Sequence, residues 1–319
     1  MDNIKVSVIV PVFNNSEYIG KALDSIISQD FDGFEIIVID DGSTDSSLQI
    51  IKDKLEGSDV PNQIIHQENQ GVSAARNKGI EISRGDYLVF VDGDDYVTPN
   101  HLSELYNGKS DFSLIQMVKK DGEKLSTPHI YSQDFISTEE FIKKELKMEI
   151  PFTFFQLMYN SEIIKSNSIE FPVGVVYGED TYFALEALSF GDEIAVSNEI
   201  TYYYVQHPES AIRTSDFKRF DVIKVFENLA DFYRRQGHDD LSNLIITSRI
   251  PKAIFGNMNY FFYNGYGFDE VIDKMKELDL FDKLSKYEGD SKFALKIKLF
   301  LLNPKIYYIV WKKFKNSID

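Results

Sequence analysis

Along the first hundred residues, short apolar runs alternate with segments whose apolar positions recur every three or four residues. Residues 4–10, 34–39, 63–66 and 87–91 read as strands. Between the first two, Ile19, Leu23, Ile26 and Ile27 share one helical face, in a segment that Ser16 is placed to cap and that runs to about Gln29. Leu48, Ile51 and Leu55 mark a second helix after Asp45, and a small-residue helix opens near Val72 and ends by Arg84-Gly85. Alternation of β and α at this spacing predicts a parallel sheet with right-handed crossovers. Pro11, which lacks an N–H, is expected to break the first strand. The loops after strands one, two and four then arrive at one sheet edge, where open α/β sheets bind their ligands.

Past Pro99 the pattern changes. Residues 112–118 suggest a strand, and Ser137-Thr138-Glu139-Glu140 is a capping box for a helix through about Lys147. Residues 152–159 are apolar and expected to be extended. Gly178-Glu179-Asp180-Thr181 opens a helix carrying Phe183, Leu185 and Leu188, and 194–196 and 202–205 read as strands. From about Asp216 the chain reads as helical, over 217–235, 241–262 and 268–278. The expected division is an α/β domain at 1–215 and a helical region at 216–319.

Composition narrows the classes. In 319 residues, 43% are hydrophobic and 14% aromatic, enough for a sizeable core. The absence of cysteine removes disulfide and thiolate chemistry. The chain enters a strand directly after Met1, with no leader-like pattern, and no apolar run approaches the roughly 18 residues of a membrane span, so a cytoplasmic location is expected. A net charge of −17 argues against non-specific nucleic-acid binding. That charge is uneven: residues 291–318 contain seven lysines and no acid, interleaved with aliphatic and aromatic residues. Two readings stand for this tail, peripheral contact with anionic lipid on the inner face of the membrane and a last helix packed on the body. Aromatic residues at 255–266 also permit a homodimer.

The candidate chemistry lies after the fourth strand. Asp92-Gly93-Asp94-Asp95 places three carboxylates where burying them unpaired would be costly. Asp92 and Asp94, two apart around a glycine that lets the backbone turn, suit one hard divalent cation. Taken with Val8-Ile9-Val10-Pro11-Val12-Phe13-Asn14, Val38-Ile39-Asp40-Asp41-Gly42-Ser43-Thr44-Asp45, Asn69-Gln70-Gly71-Val72-Ser73-Ala74-Ala75-Arg76-Asn77 and Gly178-Glu179-Asp180-Thr181, this stretch resembles inverting glycosyltransferases of family 2, which have the nucleotide-sugar-binding GT-A fold. The resemblance spans roughly residues 4–210 and leaves out the helical C-terminus.

The resemblance implies roles. Pro11 and Phe13 would line the base pocket, Asp41 would accept from a uracil N–H, and Asn69 would sit near the base. Asp40 would point back into the fold. Arg76 would contact base or phosphates, against a bland alternative as a surface cation. Asp94 would be the direct ligand of Mn²⁺ or Mg²⁺, with Asp92 and Gly93 at the ribose or sharing the ion. His207 is a further metal candidate and Arg213 a phosphate candidate. Asp95 would support the site or cap a helix. Asp180 would be the general base, with Glu179 orienting acceptor or base. The donor would be a UDP-sugar, and the acceptor a glycan, glycolipid or teichoic-acid-like chain. Two rival readings are a non-catalytic nucleotide-sugar-binding scaffold and a metal-dependent phosphatase with its own Asp-x-Asp. The phosphatase pattern wants Thr or Val where Tyr96 stands.

Overall fold

A computed structural model describes residues 4–106, 110–206 and 216–314. The chain divides into two compact units: Met1–Ile142, Ile150–Val175 and Glu179–Ser210 form the first, and Lys143–Glu149, Val176–Gly178 and Ala211–Asp319 the second. The break near 210 falls close to the change in pattern seen in the sequence, but two short earlier stretches join the second unit.

In the first unit, β1 (Val6–Val12), α1 (Ile19–Ile27), β2 (Phe34–Asp40), α2 (Ser47–Glu56), β3 (Asn62–His66), α3 (Val72–Ile82) and β4 (Tyr87–Phe90) alternate as the hydrophobic pattern requires. Every residue of β1 and β2 is buried, as in strands covered on both faces. There follow β5 (Tyr96–Val97), α4 (His101–Tyr106), β6 (Phe112–Asp121), β7 (Lys124–Leu125), β8 (Phe135–Ser137), α5 (Thr138–Leu146), β9 (Leu157–Asn160), α6 (Ser161–Ser166), α7 (Glu179–Leu188) and β10 (Glu193–Val205). Among the described residues the sheet order is β3-β2-β1-β4-β9-β6-β10-β5. β1, β2, β3 and β4 pair in parallel, β9 runs antiparallel to both β4 and β6, and β10 is parallel to β6. The carboxyl ends of β1, β2, β4 and β10 therefore share one edge.

Three local expectations change. Pro11 does not break β1 but continues it, paired in register with Ile39. In a parallel strand alternate residues face alternate neighbours; Ile9 faces β4, accepting from Val91 N–H, so Pro11 faces β4 as well, beyond that strand's last residue. Its missing N–H costs no ladder bond. The two strands expected at 194–196 and 202–205 are one long strand, β10, with register shifts between Val196 and Tyr202. Within the apolar run 152–159, a 3₁₀ turn at Phe154–Gln156 interrupts the extended backbone between Thr153 and β9.

In the second unit, a 3₁₀ turn (Phe217–Asp221) leads to α8 (Val222–Arg235), α9 (Asp239–Leu244), α10 (Ile250–Tyr263), α11 (Phe268–Glu277), α12 (Leu280–Ser285), α13 (Ser291–Leu302) and α14 (Pro304–Phe314). A π turn at Ile245–Arg249 joins α9 to α10. Its cause is Pro251, which cannot donate to the carbonyl four residues back. That carbonyl, of Thr247, accepts from Glu288 N–H instead, at 2.8 Å.

Candidate active site

The site is assembled from the ends of β1, β2, β4 and β10 and the first turns of α3 and α7. Two loops are stitched together first. Asn14, at φ 47°, accepts from Thr44 N–H at 2.7 Å, and its own N–H donates to Ser43 Oγ at 2.9 Å. Asp45 accepts from Ser16 N–H and Ser47 N–H at 3.0 and 2.9 Å. The little burial it has raises its pKa, but these bonds outweigh that and hold it at about 2. Ser16 is thus tied to Asp45, and α1 begins only at Ile19. The stitching carries Phe13, half exposed, to the mouth of the edge.

Asp41 is 3% exposed and holds the entry to α3. Oδ1 accepts from Gln67 Nε2 and Gln70 N–H at 2.8 and 2.9 Å, and Oδ2 from Gly71 N–H at 2.8 Å. A carboxylate offers about four acceptor positions, so one remains. Asn69 is exposed on the same loop. Gly42, at φ +79°, lies under it: a Cβ there would stand 2.8 Å from Asn69 N. Asp40 is buried, as expected, with Oδ2 2.5 Å from His66 Nδ1 and Oδ1 unbonded.

Arg76 is not a surface cation. It is 5% exposed, its guanidinium lies over the rings of Phe154 and Phe171 at 4.4 and 5.2 Å, and Nη2 donates to Asp92 Oδ1 at 2.8 Å. Nη1 is 4.0 Å from Glu179 Oε1, while Nε is buried with no partner. Burial works against its charge, but Asp92, then Glu179 and Asp180, outweigh that and raise its pKa.

Gly93 is needed for space rather than for a special φ. A Cβ there would stand 3.0 Å from Asn15 Nδ2 and 3.3 Å from Pro11 O. The turn closes with Asp95 N–H donating to Asp92 O at 3.0 Å. Asp95 caps no helix: it is buried, accepting from Tyr202 Oη at 2.7 Å and Val205 N–H at 2.8 Å. It thereby ties β10 to the aspartate turn. Burial, then the charges of Asp92 and Asp94, hold its pKa well above the ordinary carboxylate value, against those bonds. Tyr202 also accepts from Asp92 N–H at 3.2 Å.

Glu179 and Asp180 occupy the first turn of α7, where the helix dipole favours anions. Asp180 Oδ1 accepts from Thr181 N–H at 2.7 Å. Burial, followed by the charge of Asp180, raises Glu179 to about 7, although Arg76 pulls it down. The Tyr204 hydroxyl is pushed up to about 12 by burial and then by the charges of Asp95, Asp94, Asp92 and Asp180. His207 and Arg213 lie outside the described residues. Sequence reasoning missed Tyr202 and Tyr204, although the period-2 alternation of a strand puts both on one face.

Among the described residues no group of three or more His, Asp or Glu side chains is arranged to hold a metal. What is present is the pair Asp92 and Asp94, hard oxygens of the kind Mg²⁺ and Mn²⁺ accept alongside phosphate oxygens.

Residues 7–161 match the family model described as Glycosyl transferase family 2. That segment is a glycosyltransferase family 2 domain. The chain is similar to EpsH of Bacillus subtilis (strain 168): 29% identical over 241 residues, covering 73% of this chain and 70% of EpsH. It is also similar to the poly(ribitol-phosphate) β-N-acetylglucosaminyltransferase TarS of Staphylococcus aureus (strain Mu50), 28% identical over 220 residues, 67% of this chain but only 38% of TarS. The crystal structure of S. aureus TarS 1–349 with UDP-GlcNAc superposes with a TM-score of 0.67 at 21% identity, covering 98% of this chain and 92% of that one. That likeness shows the fold, the GT-A arrangement of a central sheet flanked by helices. At lower similarity stands the mannosyltransferase PcManGT of Pyrobaculum calidifontis with GDP-Man and Mn²⁺, TM-score 0.54 and 16% identity over 98% of this chain and 87% of that one. This glycosyltransferase is therefore an enzyme of the class the motifs suggested.

Proposed function

We propose that this glycosyltransferase moves a sugar from a UDP-sugar to a hydroxyl of a glycan, glycolipid or teichoic-acid-like polymer, inverting the anomeric configuration by direct displacement. One observation carries the reading: the buried guanidinium of Arg76 donates to Asp92 Oδ1 at 2.8 Å and lies 4.0 Å from Glu179 Oε1, so the aspartate turn after β4 and the first turn of α7, far apart in sequence, meet at one cation. The named substrates of TarS, UDP-GlcNAc and poly(ribitol phosphate), suggest the donor and acceptor classes.

In this reading Phe13 stacks on the base beside Pro11 and Asn69, and the one open acceptor position of Asp41 takes the base N–H. Asp94, with Asp92, would hold Mn²⁺ or Mg²⁺; when bound, the ion supplies positive charge to the departing diphosphate. Arg76, already committed to Asp92, positions that carboxylate rather than touching the donor. Asp180 takes the proton of the attacking hydroxyl while Glu179 and Arg76 fix its surroundings. The Glu179 value of about 7 favours a second assignment, with Glu179 itself as the base, since a base works best when its pKa lies near the working pH.

The test is transfer from UDP-sugars by Asp180→Asn alongside Glu179→Gln. Asp180→Asn should lower turnover by about 10²–10⁴-fold while UDP affinity stays near wild type. Near-wild-type turnover in Asp180→Asn, with the loss appearing in Glu179→Gln, would move the base to Glu179.

A further inference from the structure

The tail left two readings open, and the structure gives each a different face of the same helices. α13 and α14 are well-formed ends of the second unit. Asp290 accepts from Lys292 and Phe293 N–H groups to cap α13, and Asn303 Oδ1 accepts from Ile306 N–H to cap α14. One face of the pair packs inward: Phe300 lies 5.7 Å from Phe281, Tyr307 5.4 Å from Phe255, and Trp311 5.6 Å from Phe262, ring centre to ring centre. Tyr307 Oη donates to Asn259 Oδ1 at 3.1 Å.

The opposite face is also apolar. Leu295, Leu299 and Leu302 follow one another at four and three residues, so they form one stripe on α13. Their exposures are 68%, 39% and 84%. Ile306, Ile309 and Val310 continue it on α14, all exposed. A soluble helix of a packed body needs one apolar stripe; these two carry a second that covers nothing. At 100° per residue, Lys292 and Lys296 border the α13 stripe on one side and Lys298 on the other. Lys305 and Lys312 border that of α14, with Lys313 at its end. All six lysines are exposed, and residues 291–318 hold no acid.

We propose that the outer face of α13–α14 lies in the surface of an anionic lipid bilayer, its leucines and isoleucines among the acyl chains and its lysines at the headgroups. An apolar stripe edged by lysines is the pattern of a helix lying in the interface plane. Charge decides between this occupant and a second copy of the chain. A symmetric dimer through this face would set two seven-lysine segments against each other, whereas an anionic leaflet offsets them on a protein whose net charge is otherwise strongly negative. Among the described residues no helix is long and apolar enough to cross a membrane, so the helices rest on the surface rather than span it. The inference is independent of which sugar or acceptor the enzyme uses.

The experiment is co-sedimentation of the full chain with vesicles of phosphatidylcholine alone and of phosphatidylcholine with phosphatidylglycerol, at low and high salt. Wild type should bind the mixed vesicles, bind the neutral ones weakly, and lose binding as salt rises. Lys296→Gln/Lys298→Gln/Lys312→Gln should weaken binding about fivefold per lysine, roughly a hundredfold together. Leu302→Ser/Ile309→Ser should lose binding at both salt concentrations. The altered side chains are exposed, so melting temperatures should match wild type. Equal sedimentation with neutral and anionic vesicles, or variants that bind like wild type, would overturn the proposal. So would absent vesicle binding together with a dimer, seen by light scattering, that Leu302→Ser/Ile309→Ser dissociates.

Discussion

The two edges of the sheet treat buried carboxylates in opposite ways. At the edge where β2 begins, Glu35 is wholly buried, and every oxygen is answered. Oε1 accepts from Ser7 Oγ and Arg84 N–H, both at 2.8 Å, and Oε2 from Arg84 Nε and Nη2 at 2.9 and 2.6 Å. Burial alone would raise its pKa, but Arg84 and Ser7 outweigh that and lower it. At the edge where β2, β4 and β10 end, carboxylates crowd one another instead. Asp95 and Glu179 are pushed up by burial and by neighbouring acids, and Arg76 serves Asp92, Glu179 and Asp180 at once. A carboxylate kept for the fold is neutralised by its own donors. At the other edge Arg76 is shared among several acids, which under the proposed function a divalent cation would help to balance.

Breaking the satisfied edge should cost the most stability. Glu35→Ala leaves Ser7 and Arg84 N–H without their buried acceptor and should destabilise the first unit by about 1–3 kcal/mol for each donor left unpaired; denaturant unfolding measures it. Because the folded-state pKa of Glu35 is depressed, its contribution is present above the ordinary glutamate pKa and is lost as pH falls through the folded value. A melting curve unchanged by Glu35→Ala would remove the contrast.

Tyr202→Phe should cost less, about 1–3 kcal/mol, by leaving the buried Asp95 oxygen without its hydroxyl donor. It should also loosen the aspartate turn, so the loss in UDP affinity in the presence of Mn²⁺ should exceed any loss in its absence. Calorimetry on the variant checks both.

The smallest effect is a slope. The folded-state pKa of Glu179, about 7, lies above the unfolded value near 4.5, so between these limits the folded state holds more protons. Stability should therefore rise as pH falls from about 7 toward 4.5, and Glu179→Gln should flatten that part of the curve. A variant with the wild-type slope would place the shift on another group.

Much of the first unit was legible because its parallel strands are continuous apolar runs and its helices keep a 3.6-residue period. Pairing that depends on distant partners was not. β10 reads as two strands because Ser197, Asn198 and Glu199 interrupt it with polar residues, yet Asn198 bonds Tyr131 and Ser197 bonds Glu104, which carries the strand through. Arg76 could be read as a base or phosphate contact or as a surface cation on a small-residue helix; its burial depends on Phe154 and Phe171, 78 and 95 residues on. Asp95 looks like one more polar turn residue until Tyr202 is folded against it. Asp92 and Asp94 could be singled out because strand ends are where open α/β sheets bind their ligands, and Asp180 through the family resemblance, but the sharing of Arg76 by Asp92, Glu179 and Asp180 is a product of the fold.

Under the proposed function, the crowded edge should complete its charge balance with a divalent cation delivered alongside the donor diphosphate. Isothermal titration of UDP into wild type and Asp94→Asn, each with and without Mn²⁺, tests it directly. Wild type should bind UDP much more tightly with Mn²⁺, and Asp94→Asn should lose that gain while Asp180→Asn keeps it. Equal UDP affinity in wild type with and without the ion would contradict the account.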